Sequence, residues 1–187
     1  MPGDTEEPFA GWARDPDLAA AGAAYRAERR AEAAAYEELA ARDRLRGRDL
    51  ADVAAEALAR GDVVAVALAG RIFTGTVTHA AGDLACLHTT VGDDVDVHLA
   101  GLVAVRVVQA VRAGGASRGP GPASFAARLG EHEAAGTVLE VGARVPEGGL
   151  VGRIQAVAVD HVVITDREGG AWFVARGALD YVLPRPS

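Results

Sequence analysis

The chain has 187 residues, a formal net charge of −7 and one cysteine. Acidity disfavours non-specific binding to nucleic acid, which depends on basic charge, and a single cysteine excludes an internal disulfide bond. No apolar run approaches the ~18 residues of a membrane helix, and the acidic N-terminus lacks the basic and apolar parts of a signal peptide. We therefore expect a cytoplasmic protein that binds neither DNA nor a membrane.

A long helix is the first predicted element. Asp15-Pro16-Asp17 supplies an N-cap residue, a proline in the first turn and an acid near the positive end of the helix dipole. The helix is expected to run to about Arg46. Its large apolar residues are few, and Leu18, Tyr25 and Leu39 share one heptad line. Both a coiled-coil seam and a solvated, alanine-rich helix fit this pattern.

A shorter helix and five strands follow. Asp49 can cap a helix that ends at Gly61. Runs of β-branched and apolar residues bounded by turn residues predict the strands. These are Val63–Leu68, Ile72–Thr78, Leu84–Thr90, Val95–Leu99 and Leu102–Val108. The glycine- and proline-rich residues 113–123 predict a flexible linker.

The second half of the chain nearly repeats the first. Residues 73–105 fall on residues 150–182 without a gap, and turn residues meet turn residues, as Gly75 meets Gly152. Ser124 can cap another helix, which ends at Gly136. Five more strands are predicted at Val138–Val145, Leu150–Val157, His161–Thr165, Ala171–Val174 and Ala178–Leu183. The offset predicts two copies of one small β module.

Closure into a barrel would remove the exposed edges of each short sheet. We therefore predict a mainly β protein with helices, in which a long N-terminal helix precedes two tandem helix-plus-five-strand small barrels. The predicted domains are a loose N-terminus with the long helix (1–48), a first barrel with its leading helix (49–112), a linker (113–123) and a second barrel with its leading helix (124–187).

Two short motifs of the second module resemble the Sm-like family of small β-barrels, which includes bacterial RNA chaperones. Leu150-Val151-Gly152-Arg153-Ile154 is similar to the second-strand pattern of that family, and Phe173–Leu179 is similar to its Arg-Gly turn. The resemblance implies an SH3-like barrel with a leading helix. It also implies that Arg176 and Gly177, together with Arg153, are candidate contacts for uridine-rich RNA. The alternative is a solvated Arg176 and a tight turn at Gly177.

Two further predictions concern side chains on the strands. Trp172 aligns with Val95 and is expected in the core. Strand alternation places four potential metal ligands on one outer surface of the first module. These are Cys86, His88, Asp96 and His98. They form a weak zinc candidate, because the spacing of zinc motifs is absent.

No catalytic residues are predicted, because the sequence contains no nucleophile elbow, triad order or phosphate-binding loop. No cofactor is expected. The sequence therefore predicts a non-enzymatic binding or assembly module whose partner is another protein or a second copy of itself. The alternative is an RNA-binding protein that acts through the second module.

Overall fold

A computed structural model of the chain describes residues 16–68, 70–111, 114–116, 119–144 and 149–185. The described residues belong to two compact units, one before and one after the Arg48–Asp49 boundary. No described helix is both long enough and apolar enough to cross a membrane.

Helix α1 comprises Pro16–Arg46 and forms the first unit. It confirms the predicted long helix, although Asp15, the predicted N-cap, lies outside the described residues. No residue of α1 is buried. Its surface carries short-range ion pairs such as Arg42–Glu38, at 2.7 Å. Pairs of this kind stabilise a helix by about 0.3–0.5 kcal/mol each. The residues of the heptad line, Leu18, Tyr25 and Leu39, are all exposed.

The described residues of the second unit form two α-helices, two short 3₁₀ helices and ten strands, and the α-helices and strands lie close to the predicted positions. The helices are α2 (Leu50–Arg60) and α3 (Phe125–Ala135). The strands of the first half are β1 (Val63–Leu68), β2 (Arg71–Ala81), β3 (Leu84–Thr89), β4 (Asp94–His98) and β5 (Ala104–Gln109). Those of the second half are β6 (Val138–Ala143), β7 (Leu150–Val157), β8 (His161–Asp166), β9 (Ala171–Ala175) and β10 (Leu179–Pro184).

All ten strands form one antiparallel sheet in the order β5-β1-β2-β3-β4-β10-β6-β7-β8-β9. The prediction of two closed barrels is therefore wrong. The sheet continues from one half to the other because β4 pairs with β10 through Tyr181↔Val97 and Val182↔Asp96. An inner edge of each half is thus covered by the other half, whereas β5 and β9 are the two ends of the open sheet.

Both halves show the same strand order and nearly the same register. Gly75 lies opposite Thr89 in the first half, and Gly152 lies opposite Asp166, each 77 residues further along. A Cβ atom on Gly75 would lie 2.1 Å from the carbonyl oxygen of His88, and one on Gly152 would lie 2.3 Å from that of Thr165. Glycine is required at both positions because the neighbouring backbone leaves no room for a side chain.

Each helix packs on the strands of its own half. Asp49 caps α2 by accepting a hydrogen bond from the Asp52 backbone N–H at 2.8 Å, and Ser124 caps α3 through the Ala127 N–H at 3.2 Å. Each helix ends at a glycine in the left-handed region, Gly61 or Gly136. These caps fix the ends of the helices that close the two cores.

Apolar residues that match at the offset of 77 are expected to face the core of each half, and in the second half all five of them are buried. They are Ile154, Ile164, Val174, Leu179 and Val182. Their counterparts Val77, Leu87 and Val97 are also buried, but Leu102 and Val105 are only partly buried. These two residues lie at or beside β5, where no further strand covers them. The difference follows from the edge position of β5 and not from the residue type.

Candidate functional site

At the contact between the two halves, each half contributes side chains to the hydrophobic core of the other. Tyr181 and Leu183 of β10 belong to the core of the first half, whereas Leu84 of β3 belongs to the core of the second. The Tyr181 ring packs edge-on against Phe73 with the ring centroids 4.9 Å apart. Burial of this apolar surface stabilises the contact.

A buried polar cluster lies in the same contact. Asp96 of β4 is 2 % exposed and accepts hydrogen bonds from His132 Nε2 at 2.7 Å and Arg128 Nε at 2.9 Å, both on α3. Burial alone would raise the pKa of Asp96. The hydrogen bonds from His132 and Cys86 and the charge of Arg128 outweigh burial and hold this pKa below its usual value. The carboxylate is therefore charged and paired, as a buried charge must be.

A second polar cluster joins β2 to β6 and β10. Glu140 accepts hydrogen bonds from Arg71 and Arg185, and the hydroxyl of Tyr181 also donates to it at 3.2 Å. Burial would raise the pKa of Glu140, but the hydrogen bonds from Arg185 and Arg71 hold it below its usual value. The Arg71 guanidinium also lies 4.8 Å from the centroid of the Phe73 ring, a distance at which a cation–π interaction is favourable.

Arg176 and Gly177 line a partly open cavity of about 230 Å³ between the two halves. Its other lining residues are Asp83, His98, Phe125 and Ala126. The His98 and Phe125 rings are stacked with their centroids 4.8 Å apart. The Nε atom of Arg176 is buried and has no hydrogen-bond partner among the described residues. Arg176 and the stacked His98–Phe125 pair therefore border the same cavity.

The third predicted RNA contact, Arg153, lies elsewhere. It is exposed and donates a hydrogen bond to the carbonyl oxygen of Gly136 at the end of α3. The φ angle of Gly177 lies outside the left-handed region. The turn at Arg176–Ala178 is a short 3₁₀ helix, so it does not depend on the positive φ that glycine allows.

Of the four potential metal ligands, Cys86 and Asp96 contact each other, whereas His88 and His98 have other partners. Asp96 lies beneath α3, so the predicted outer surface is covered by a helix of the other half. His88 bonds to Asp94 at 2.8 Å, and His98 donates from Nδ1 to the carbonyl oxygen of Leu179 at 2.9 Å. No group of three or more His, Cys, Asp or Glu residues in the described ranges could hold a metal ion. Burial and then the charge of Asp96 raise the pKa of the Cys86 thiol, which keeps it protonated and unreactive.

The two ends of the sheet carry exposed apolar side chains. On β9, Trp172 is 47 % exposed and Phe173 is 72 % exposed, so the prediction of a buried Trp172 is wrong. The indole Nε1 of Trp172 donates to Asp166 Oδ2 at 2.8 Å. On β5, Val107 and Val108 are about half exposed. An open edge offers unpaired backbone groups as well as apolar surface.

Sequence reasoning missed the partners that α3 supplies. His132 lies on the same helical face as Phe125 and Leu129, and all three are buried. A histidine on an apolar helix face needs a hydrogen-bond partner, and Asp96 was an available acid on a strand. That pairing could have been inferred only by assuming that the halves touch. No protein-family model, curated protein or solved structure matches this chain.

Proposed function

We propose that residues 49–185 form a non-enzymatic assembly module that binds protein through the open edges of its sheet. The observation that carries this proposal is the exposure of Trp172 and Phe173 on β9, at the end of a ten-stranded sheet. An added strand would satisfy the unpaired backbone groups of this edge and cover both rings. Strand addition is a common mode of peptide and protein recognition.

The chemistry of the buried groups supports a role without catalysis. The raised pKa of the Cys86 thiol opposes a nucleophilic role. Asp96 and His132 are both almost fully buried and bonded to each other, which suits a structural pair. The exposed edges therefore remain the surfaces of this unit best suited to a partner.

A test uses the full chain as bait in native lysate treated with RNase. We expect Phe173→Glu to abolish the capture of protein partners, because the charge is placed on the exposed apolar edge. Val91→Glu is the matched control, because Val91 is 81 % exposed and lies in the turn between β3 and β4, which are inner strands of the sheet. Equal capture by both variants would contradict the proposal.

RNA binding is the second candidate, and the cavity at Arg176 favours it. The cationic Arg176 and the His98–Phe125 stack border this cavity and suit a phosphate and its base. Asp83 at the same cavity opposes it, because a carboxylate repels phosphate.

The binding of a labelled uridine-rich strand, measured by fluorescence anisotropy, separates the two candidates. If the RNA function holds, Arg176→Ala lowers affinity about tenfold or more, equivalent to about 1.4 kcal/mol. Arg153→Ala, which removes an exposed arginine outside the cavity, leaves the affinity within about twofold of the wild type. Weak binding that is insensitive to Arg176 supports the assembly module.

A further inference from the structure

The two surfaces that form the internal contact between the halves have equivalents at the two ends of the sheet, where β5 and β9 are the terminal strands. Residues of β4 correspond to those of β9, and residues of β10 to those of β5, at the offset of 77 that relates the registers. The helices α2 and α3 correspond at an offset of 75, from their N-caps Asp49 and Ser124 to their C-caps Gly61 and Gly136. Strand β9 is therefore equivalent to β4, but no described strand pairs with it as β10 pairs with β4. Likewise, β5 is equivalent to β10, but no described strand pairs with it as β4 pairs with β10.

Exposure follows this correspondence. Val95 and Asp96 of β4 are 0 % and 2 % exposed, whereas their counterparts Trp172 and Phe173 are 47 % and 72 % exposed. Asp180, at 4 %, corresponds to Val103, at 72 %. The same positions are thus covered where a neighbouring half is present and open where it is absent.

The residues equivalent to the buried polar cluster also differ together. In the internal contact, Asp96 is bonded to Arg128 and His132 of α3. The counterpart of Asp96 is the apolar Phe173, and the counterparts of the two helical residues are Val53, which is partly buried, and Ala57, which is buried in the core of its own half. A charged acid that faces two polar helical residues is thus replaced by an aromatic ring, and the equivalent helical residues are apolar. Each set is self-consistent, since an apolar ring packs against apolar side chains.

More of the open surface fits the same arrangement. Leu50 at the start of α2 is 40 % exposed, whereas its counterpart Phe125 is 2 % exposed in the internal contact. Arg106 is exposed on β5 and corresponds to the buried Leu183. Continuing the register of β4 and β10 places Arg106 opposite Trp172 of a neighbouring copy. An arginine beside an exposed tryptophan gains a cation–π interaction, and Asp166, bonded to that indole, is of opposite charge.

We propose that copies of this chain associate head to tail, with α2 and β5 of one copy covering β9 of the next. The register copied from the internal contact pairs Ala104 with Val174 and Val105 with Phe173 of the neighbouring copy. Such a contact is heterologous, because each copy contributes a different surface. This inference rests on the proposed assembly function and names its partner as a second copy.

The test uses two full-length variants that each damage one face. Phe173→Glu puts a charge on the β9 face. The double variant Leu50→Glu/Arg106→Glu puts charges on the α2/β5 face, and its glutamate at position 106 would repel Asp166 of the neighbour. All three side chains are exposed, so we expect folding to be retained, as checked by circular dichroism. Val91→Glu is again the control.

Sedimentation velocity and mass-resolved chromatography measure the association. We expect the wild type and the control to form assemblies larger than one chain, and each face variant alone to have the mass of one chain. An equimolar mixture of the two face variants should form a dimer and stop there. Its intact α2/β5 face comes from one variant and its intact β9 face from the other, and both remaining faces are blocked.

Other results overturn the inference. A monomeric wild type excludes it, and so does a wild-type assembly that Phe173→Glu leaves intact, because another surface then holds the copies together. Two monomeric variants whose mixture stays monomeric also exclude it. The proposed function is judged separately by capture from lysate. If the wild type is monomeric but Phe173→Glu abolishes capture, the edge binds a different protein; if capture is also unchanged, both proposals fail.

Discussion

Removal of the Asp96 carboxylate should strongly destabilise the β-rich unit, because this single side chain joins β4 to helix α3. In Asp96→Ala, His132 loses a 2.7 Å hydrogen bond while remaining 6 % exposed. Arg128 loses a 2.9 Å bond, but its side chain is 29 % exposed and water can replace part of that interaction. Breaking a buried pair by removing one partner costs about 3–5 kcal/mol. At about 2–4 °C per kcal/mol for a unit of this size, we expect the Tm to fall by about 6–20 °C.

Asp94 on the same strand provides a matched control. It also pairs with a histidine, since Asp94 Oδ1 lies 2.8 Å from His88 Nδ1, but the two side chains are 71 % and 54 % exposed. Exposed pairs contribute about 0–1 kcal/mol. Urea denaturation at neutral pH should therefore show a loss of less than about 1 kcal/mol for Asp94→Ala. Equal losses in the two variants would refute the argument that burial makes the Asp96 contact strong.

The pH dependence of stability gives an independent check. The folded-state pKa of Asp96 is lowered from about 3.9 in the unfolded chain. The stabilisation by the charged carboxylate is therefore fully present above the unfolded value and is lost as the pH falls through the folded one. The difference in free energy of unfolding between the wild type and Asp96→Asn should be greatest at neutral pH and shrink below about pH 4. A difference that is constant down to pH 3 would contradict a charged Asp96.

The remaining predictions concern packing. Ile164→Ala should lower the free energy of unfolding by about 2–5 kcal/mol, because Ile164 is 1 % exposed in the core; Leu102→Ala should cost less, since Leu102 is only partly buried. Gly152→Ala should cost about 1–3 kcal/mol or more through overpacking, because its Cβ would lie 2.3 Å from the Thr165 carbonyl oxygen. Chemical denaturation of each variant measures these losses, and a neutral Gly152→Ala would show that the two strands can separate at no cost.

Local pattern predicted the elements of this chain well, because each strand and helix is bounded by residues that act locally. Asp49 and Ser124 cap helices, Gly61 and Gly136 end them, and short apolar runs form the strands. The gapless offset also predicted that Gly75 and Gly152 have the same environment, as their matching registers show. None of these features depends on how the halves contact each other.

The prediction of closed barrels was wrong because the sequence pattern of strands and turns within one half is the same for a closed barrel and for half of an open sheet. What distinguishes them is the neighbour of β4, and that is β10 of the other half. The error at Trp172 has the same origin. Trp172 is equivalent to the buried Val95 in the sequence repeat. In the structure, however, Val95 is covered by the second half, whereas Trp172 lies at an open edge.

The positions at which the halves differ contain the missing information. Asp96 and Phe173 occupy equivalent places in their strands and cannot exchange partners without cost. Asp96 facing α2 would bury a charge against Val53 and Ala57, which offer no hydrogen bond, and an unpaired buried charge is strongly unfavourable. Specificity of this kind arises from penalties against wrong pairings as well as from favourable contacts. The polar contact therefore suits the halves of one chain, and the apolar contact suits the proposed neighbouring copy.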